Sequence, residues 1–139
     1  MLPEPMVLRM PSDPNRLPEI EEFAEQAARC CEMSPSRTGT LGMIVTEAAN
    51  NSIHHGNHGD PNLPVDIRIE FHREFLKIIF KDAGKGFDPS LLPDPTSPEN
   101  LLRDSGRGFM ILRHFCRDVQ TETADDGFIT TLVFDRADP

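Results

Sequence analysis

The residues able to do chemistry fall in three short stretches. Glu47, Asn51 and His54 stand four and three apart on what reads as one helix. At 100° per residue they lie within about 60° of one another, beside the apolar stripe of Leu41, Ile44, Val45, Ala48 and Ser52. A carboxylate, an amide and an imidazole at the rim of a core are not what a solvated face normally shows, although a polar helix edge would also account for them. The second stretch is Lys81-Asp82-Ala83-Gly84-Lys85-Gly86-Phe87. An Asp at a strand end, followed by two spaced glycines, sets an acceptor where side chains would not fit. Such a carboxylate could accept from an exocyclic amine, with the purine N6 group the natural candidate; Asp-x-Gly is also ordinary turn chemistry. The third is Ser105-Gly106-Arg107-Gly108, opening a helix at Phe109. Glycines there leave backbone N–H groups free to face an anion, and the helix dipole favours negative charge. Arg103, Arg107, Arg113 and Arg117 surround one carboxylate, Asp104, a basic island that suits a polyphosphate.

These groups need elements to hold them. Met6 to Met10 reads as a short edge strand. Asp13-Pro14 signals a helix running to about Glu32, with Ile20, Phe23, Ala24, Ala27, Ala28 and Cys31 at helical spacing. Ser34-Pro35 starts a second helix, which Gly56 ends. Val65 to Phe71 alternates strictly and turns through His72-Arg73-Glu74 into Phe75 to Phe80, a β-hairpin. Prolines 89, 93, 95 and 98 make 87–105 a loop, long enough to be a lid. A short helix from Gly108 to Phe115 and two strands, Val119 to Thr123 and Phe128 to Phe134, complete the chain. Early helices and locally paired strands predict an α+β fold, one largely antiparallel sheet with helices on one face.

The 139 residues suit one domain with a real core. A formal charge of -9 argues against generic nucleic-acid binding. No apolar run approaches the roughly 20 residues that span a bilayer. Cys30, Cys31 and Cys116 form no CxxC, so reduced thiols in a cytoplasm are the simplest expectation.

An E-x-x-x-N helix, a D-x-G-x-G after a strand, a long loop and G-x-G at a helix start follow in that order. This resembles the nucleotide-binding boxes of the gyrase, histidine-kinase and MutL superfamily. The resemblance covers residues 41 to about 116 closely. It implies the Bergerat architecture: a two-layer α/β sandwich, its sheet mixed but mostly antiparallel, as one histidine kinase-like ATPase domain over 1–139 with a lid near 87–105. Thr46-Glu47-Ala48-Ala49-Asn50-Asn51-Ser52-Ile53-His54-His55-Gly56 is similar to the small anti-sigma factor serine kinases of bacterial partner switching. Ser105-Gly106-Arg107-Gly108-Phe109 followed by Met110-Ile111-Leu112 is similar too. No dimerisation helix with a phosphoacceptor histidine is read upstream, so a small regulator is expected rather than a complete sensor kinase.

Carried over, the resemblance implies ATP and Mg²⁺ as cofactors. Asn51 would coordinate the metal, and Glu47 would be the base that deprotonates a substrate serine. Asp82 would hold the adenine amine, with Gly84 and Gly86 giving the ring room. Arg103, Ser105, Gly106, Arg107 and Gly108 would bind the phosphates. Thr131 would sit near the adenine, with Thr130 its rival because the strand phase is open. His54 stands where histidine kinases often carry a phosphate-contacting lysine. The implied partners are a sigma factor and an anti-sigma factor antagonist, with no direct nucleic acid and no membrane. A homodimer is compatible with the resemblance, although no pattern marks an interface. A non-catalytic ATP/ADP-binding switch is the alternative function. His54, His55 and His58, with Asp60 and His72, also admit a metal-site reading. Gly56 should end the helix before His58, and histidines flanking a nucleotide pocket are the plainer account.

Overall fold

Every strand that buries one face carries its apolar residues at alternate positions, and that shared phase sets the architecture. In the computed structural model, residues 1–84 and 107–138 are described, Arg107 by its backbone. The expected lid at 87–105, with Gly86, Arg103, Ser105 and Gly106, lies outside the described residues.

The elements run β1 (Met6–Pro11), α1 (Leu17–Cys30), α2 (Pro35–Asn51), β2 (Pro64–Phe71), β3 (Phe75–Asp82), α3 (Arg107–Phe115), β4 (Asp118–Ala124) and β5 (Gly127–Asp135). The sheet order is β1-β2-β3-β5-β4, with β1 on an edge as the sequence suggests. All four pairings are antiparallel, so the parallel component allowed by a mixed sheet is absent among the described strands.

In β2, Val65, Ile67, Ile69 and Phe71 are buried, while Arg68 is exposed between them. β3 continues the same face with Leu76, Ile78, Phe80 and Asp82. Against it pack Ile20, Phe23, Ala24, Ala27 and Ala28 of α1 and Leu41, Ile44, Val45, Ala48 and Ala49 of α2. The alanines let the helices approach closely, and each fully buried Ile or Leu contributes about 1.5–3 kcal/mol. The outer face carries cross-strand charge instead: Arg9 meets Asp66 at 2.9 Å, and Lys81 reaches Asp126 at 2.9 Å.

The helix signals act where the sequence puts them. Asp13 accepts from the Asn15 N–H, but the first turn, Pro14–Arg16, is a 3-10 turn that precedes α1. Ser34 caps α2 by accepting from the Arg37 N–H at 3.1 Å, with Pro35 opening the helix. The sequence did not reveal that Arg37 itself is buried. Its Nε donates to the Asp135 carbonyl at 2.8 Å, and its guanidinium lies 3.8 Å from the centre of the Phe134 ring. It ties α2 to the end of β5.

Candidate functional site

Helix α2 does not stop at Asn51. It widens into a π turn over Ser52–Gly56, closed by the Asn57 N–H on the Ser52 carbonyl at 2.9 Å. The wider turn carries His54 and His55 onto the same side as Glu47, Asn50 and Asn51. Together with Gly108 and Ile111 of α3 they line an open cleft of about 640 Å³. Glu47 and Asn51 are half-buried, and the two histidines are exposed.

Asp82 occupies the inner end of this region and is 3% exposed. Three glycines make room for it. A Cβ on Gly56 would overlap the Asp82 carboxylate, one on Gly127 would overlap the Asp82 carbonyl, and one on Gly84 would overlap the Gly56 backbone. The carboxylate accepts from the Gly84 N–H at 2.8 Å. Burial pushes its pKa above the ordinary carboxylate value, a rise opposed by the Gly84 N–H and by a hydrogen bond from Ser52. A buried acceptor within a glycine cradle fits the amine edge of a planar base.

Around Asp82 lie Ala48, Asn51, Ser52, Gly56, Phe109, Phe128 and Thr130. The free volume they enclose is about 10 Å³, roughly what one water needs.

Thr130 pairs with Phe80, on the Asp82 face, whereas Thr131 pairs with Ile79 on the opposite face. The expectation for Thr131 is thus corrected to Thr130. A one-residue change of strand phase exchanges the two faces, and two adjacent threonines leave no pattern to choose by.

Gly108 does reach the first stretch. A Cβ there would stand 2.9 Å from Glu47 Oε2 and 3.3 Å from Asn51 Oδ1. The basic island is not a single feature. Arg117 pairs with Asp135 and lies over the Phe75 ring at 5.2 Å, at the far end of β3, about 20 Å along the strand from Asp82. Arg113 lies over the Phe109 ring at 5.1 Å.

His58 stands beyond the π turn with φ 53 and does not line the cleft with His54 and His55. Among the described residues no group of three or more His, Cys, Asp or Glu side chains is arranged to hold a metal. No described helix is long and apolar enough to cross a membrane. Ser52, Asn57, Gly56 and Gly127 were not singled out from the sequence for the site. Their contacts are long-range; the sequence marks Gly56 only as a helix stop, Ser52 only as part of the apolar stripe and Gly127 only as a turn residue.

The family model described as a histidine kinase-like ATPase domain matches residues 10–134. The chain belongs to the histidine kinase-like ATPase family. Within it, the anti-sigma F factor of Shouchella clausii is 40% identical over 111 residues, 75% of each chain. The anti-sigma F factor of Bacillus cytotoxicus is 33% identical over 123 residues, covering 84% of this chain and 83% of that one. Among solved structures, the mycobacterial sensor histidine kinase MprB aligns with a TM-score of 0.53 at 16% identity, over 98% of this chain and 99% of that chain. The histidine kinase domain from Erythrobacter litoralis EL346 gives 0.52 at 14% identity, over 91% of this chain and 61% of that chain. At those identities the two structures show the shared fold. The histidine kinase-like ATPase fold is the α+β sandwich anticipated from the three stretches.

Proposed function

We infer that this histidine kinase-like ATPase is an ATP-binding anti-sigma factor that phosphorylates a serine or threonine of an antagonist protein. The observation that carries this reading is the meeting of Gly108 with Glu47 and Asn51, 61 and 57 positions away along the chain, in a cleft that shares Asn51 with the pocket around Asp82. Phosphate-binding backbone, a half-buried carboxylate and a metal-suited amide converge where the terminal phosphate of a bound nucleotide would lie. The names of the curated relatives, anti-sigma F factors, support a sigma factor as partner; an antagonist protein as second partner and a cytoplasmic setting belong to the same proposal.

In this reading Asp82 accepts from the adenine amine, with Gly84 and Gly56 giving the ring room and Thr130 beside it. Asn51 Oδ1 is the metal ligand. An amide oxygen suits Mg²⁺, which when bound would neutralise phosphate charge that an acidic chain of -9 otherwise repels. Gly86, Arg103, Ser105, Gly106, Arg107 and Gly108 complete the nucleotide site, with His54 on the cleft wall. Glu47 takes the proton from the substrate hydroxyl. The hydroxyl oxygen forms its bond to the γ-phosphorus as the bond to the β,γ-bridging oxygen breaks, and ADP leaves.

The test is incubation of the full chain with labelled ATP, magnesium and a candidate antagonist. Transfer to serine or threonine is expected. Glu47→Ala should lose it by about 10²–10⁴-fold while ATP affinity holds. ATP binding without transfer by the unaltered chain would instead make it a nucleotide-gated binding module.

A further inference from the structure

Asn57 is 1% exposed, yet every polar atom of its side chain is used. Its Nδ2 donates to Ser12 Oγ at 2.8 Å and to the Pro64 carbonyl at 3.0 Å. Its Oδ1 accepts from the Ala83 N–H at 2.8 Å. Ser12 in turn donates its hydroxyl proton to the Leu63 carbonyl at 2.7 Å. This one side chain links the end of β1, the start of β2 and the first residue after Asp82.

The bond to Ala83 bears on the site. The Ala83 N–H belongs to the peptide plane whose carbonyl is that of Asp82. That carbonyl lies against Gly127, so closely that a Cβ at 127 would overlap it. The plane is therefore held on both sides, by Gly127 at the oxygen and by Asn57 at the hydrogen. Since a peptide unit is planar, fixing both ends leaves Asp82 little freedom about its own ψ. The next peptide is committed as well, because the Gly84 N–H donates to Asp82 Oδ1.

We propose that Asn57 is a positioning residue for base recognition: by clamping the Asp82–Ala83 peptide against Gly127 it aims the Asp82 carboxylate, and so sets the preference for a base that carries an amine. It touches no nucleotide itself. The inference rests on the ATP-binding reading above and adds to it the group that fixes base specificity. A merely structural Asn57 would hold the end of β1 to the start of β2 through Ser12 and Pro64, and its loss would lower stability without changing which base is chosen.

Two readouts on the full chain separate these roles: thermal stability, and the ratio of dissociation constants for purine riboside triphosphate, which lacks the exocyclic amine, and ATP. For the unaltered chain the ratio should be about tenfold or more, the worth of one hydrogen bond to a charged acceptor. Asn57→Ala should compress it to within about threefold. Leu76→Ala, which opens the core at the far end of β3, should lower stability and leave the ratio unchanged. Should Asn57→Ala not fold, Asn57→Ser takes its place, because the serine hydroxyl falls about one bond length short of Ala83, and the same compression is expected. An unchanged ratio in the Asn57 variant, or an equal loss in Leu76→Ala, would overturn the proposal. An unaltered chain that binds both nucleotides equally would remove the amine-reading role of Asp82, and Asn57's role with it. Binding of neither would instead sink the underlying ATP-binding reading.

Discussion

The backbone that opens α3 lies directly against the base candidate on α2: a methyl at Gly108 would stand 2.9 Å from Glu47 Oε2. Residues of two separate motifs thus share one wall of the cleft.

That contact makes Gly108→Ala informative. The nearest atom is the far end of a flexible side chain, so the fold should tolerate the change. Glu47 must shift by a few tenths of an ångström, and proton abstraction is sensitive to such displacement. Phosphoryl transfer should fall about tenfold or more with the melting temperature little changed. A variant that transfers at the unaltered rate would show that Glu47 is not held at working distance by this glycine.

Gly56→Ala should behave in the opposite manner. Here the added methyl meets the buried Asp82 carboxylate rather than a free-swinging tip. Overpacking of this kind costs about 1–3 kcal/mol and displaces Asp82, so both chemical stability and ATP affinity should drop. Urea unfolding and calorimetric titration check the two effects. Intact stability together with intact affinity would mean that the cradle around Asp82 is looser than described.

Asp82 also sets a pH signature. Burial raises its folded-state pKa above 3.8, so the folded chain binds this proton more tightly than the unfolded chain does. Its contribution to stability is full below the unfolded value and is lost as pH rises through the folded one. Asp82→Asn should therefore raise the melting temperature at pH 7, with the advantage shrinking as pH falls toward 4, while ATP binding weakens. Melting curves at pH 4 and pH 7 measure the difference. A larger gain at the acidic end would reverse the sign and refute the account.

The thiols should part ways. Burial pushes Cys116 up to about 12, whereas Cys30 is exposed. Since the thiolate is the nucleophile, iodoacetamide at pH 8 should modify Cys30 quickly and Cys116 only on unfolding. The same shift means that Cys116 supports the fold below pH 9 and withdraws that support as pH climbs toward 12. Peptide mapping of the alkylated protein decides it; equal labelling of both cysteines would contradict the burial.

The chain's own order of residues determined the elements and the three motif stretches. Ser34-Pro35 starts a helix wherever it is free to do so, and Val65 to Phe71 alternates with a period that only a half-buried strand satisfies. These are local effects, carried by neighbours a few positions apart, and so they can be read along the line. Tertiary structure decided what lies across from what. Thr130 rather than Thr131 faces Asp82 because register with β3 sets the strand phase, and a pair of identical residues carries no phase of its own. Arg117 left the basic island because Asp135, 18 positions away, was the partner within reach. Asn57 carries no local signal, and it is the centre of a buried network only because β1 and β3 are brought to its two sides. Contacts of that range are settled by packing, since leaving a buried amide unpaired costs about 1–3 kcal/mol and so favours the arrangement that satisfies it.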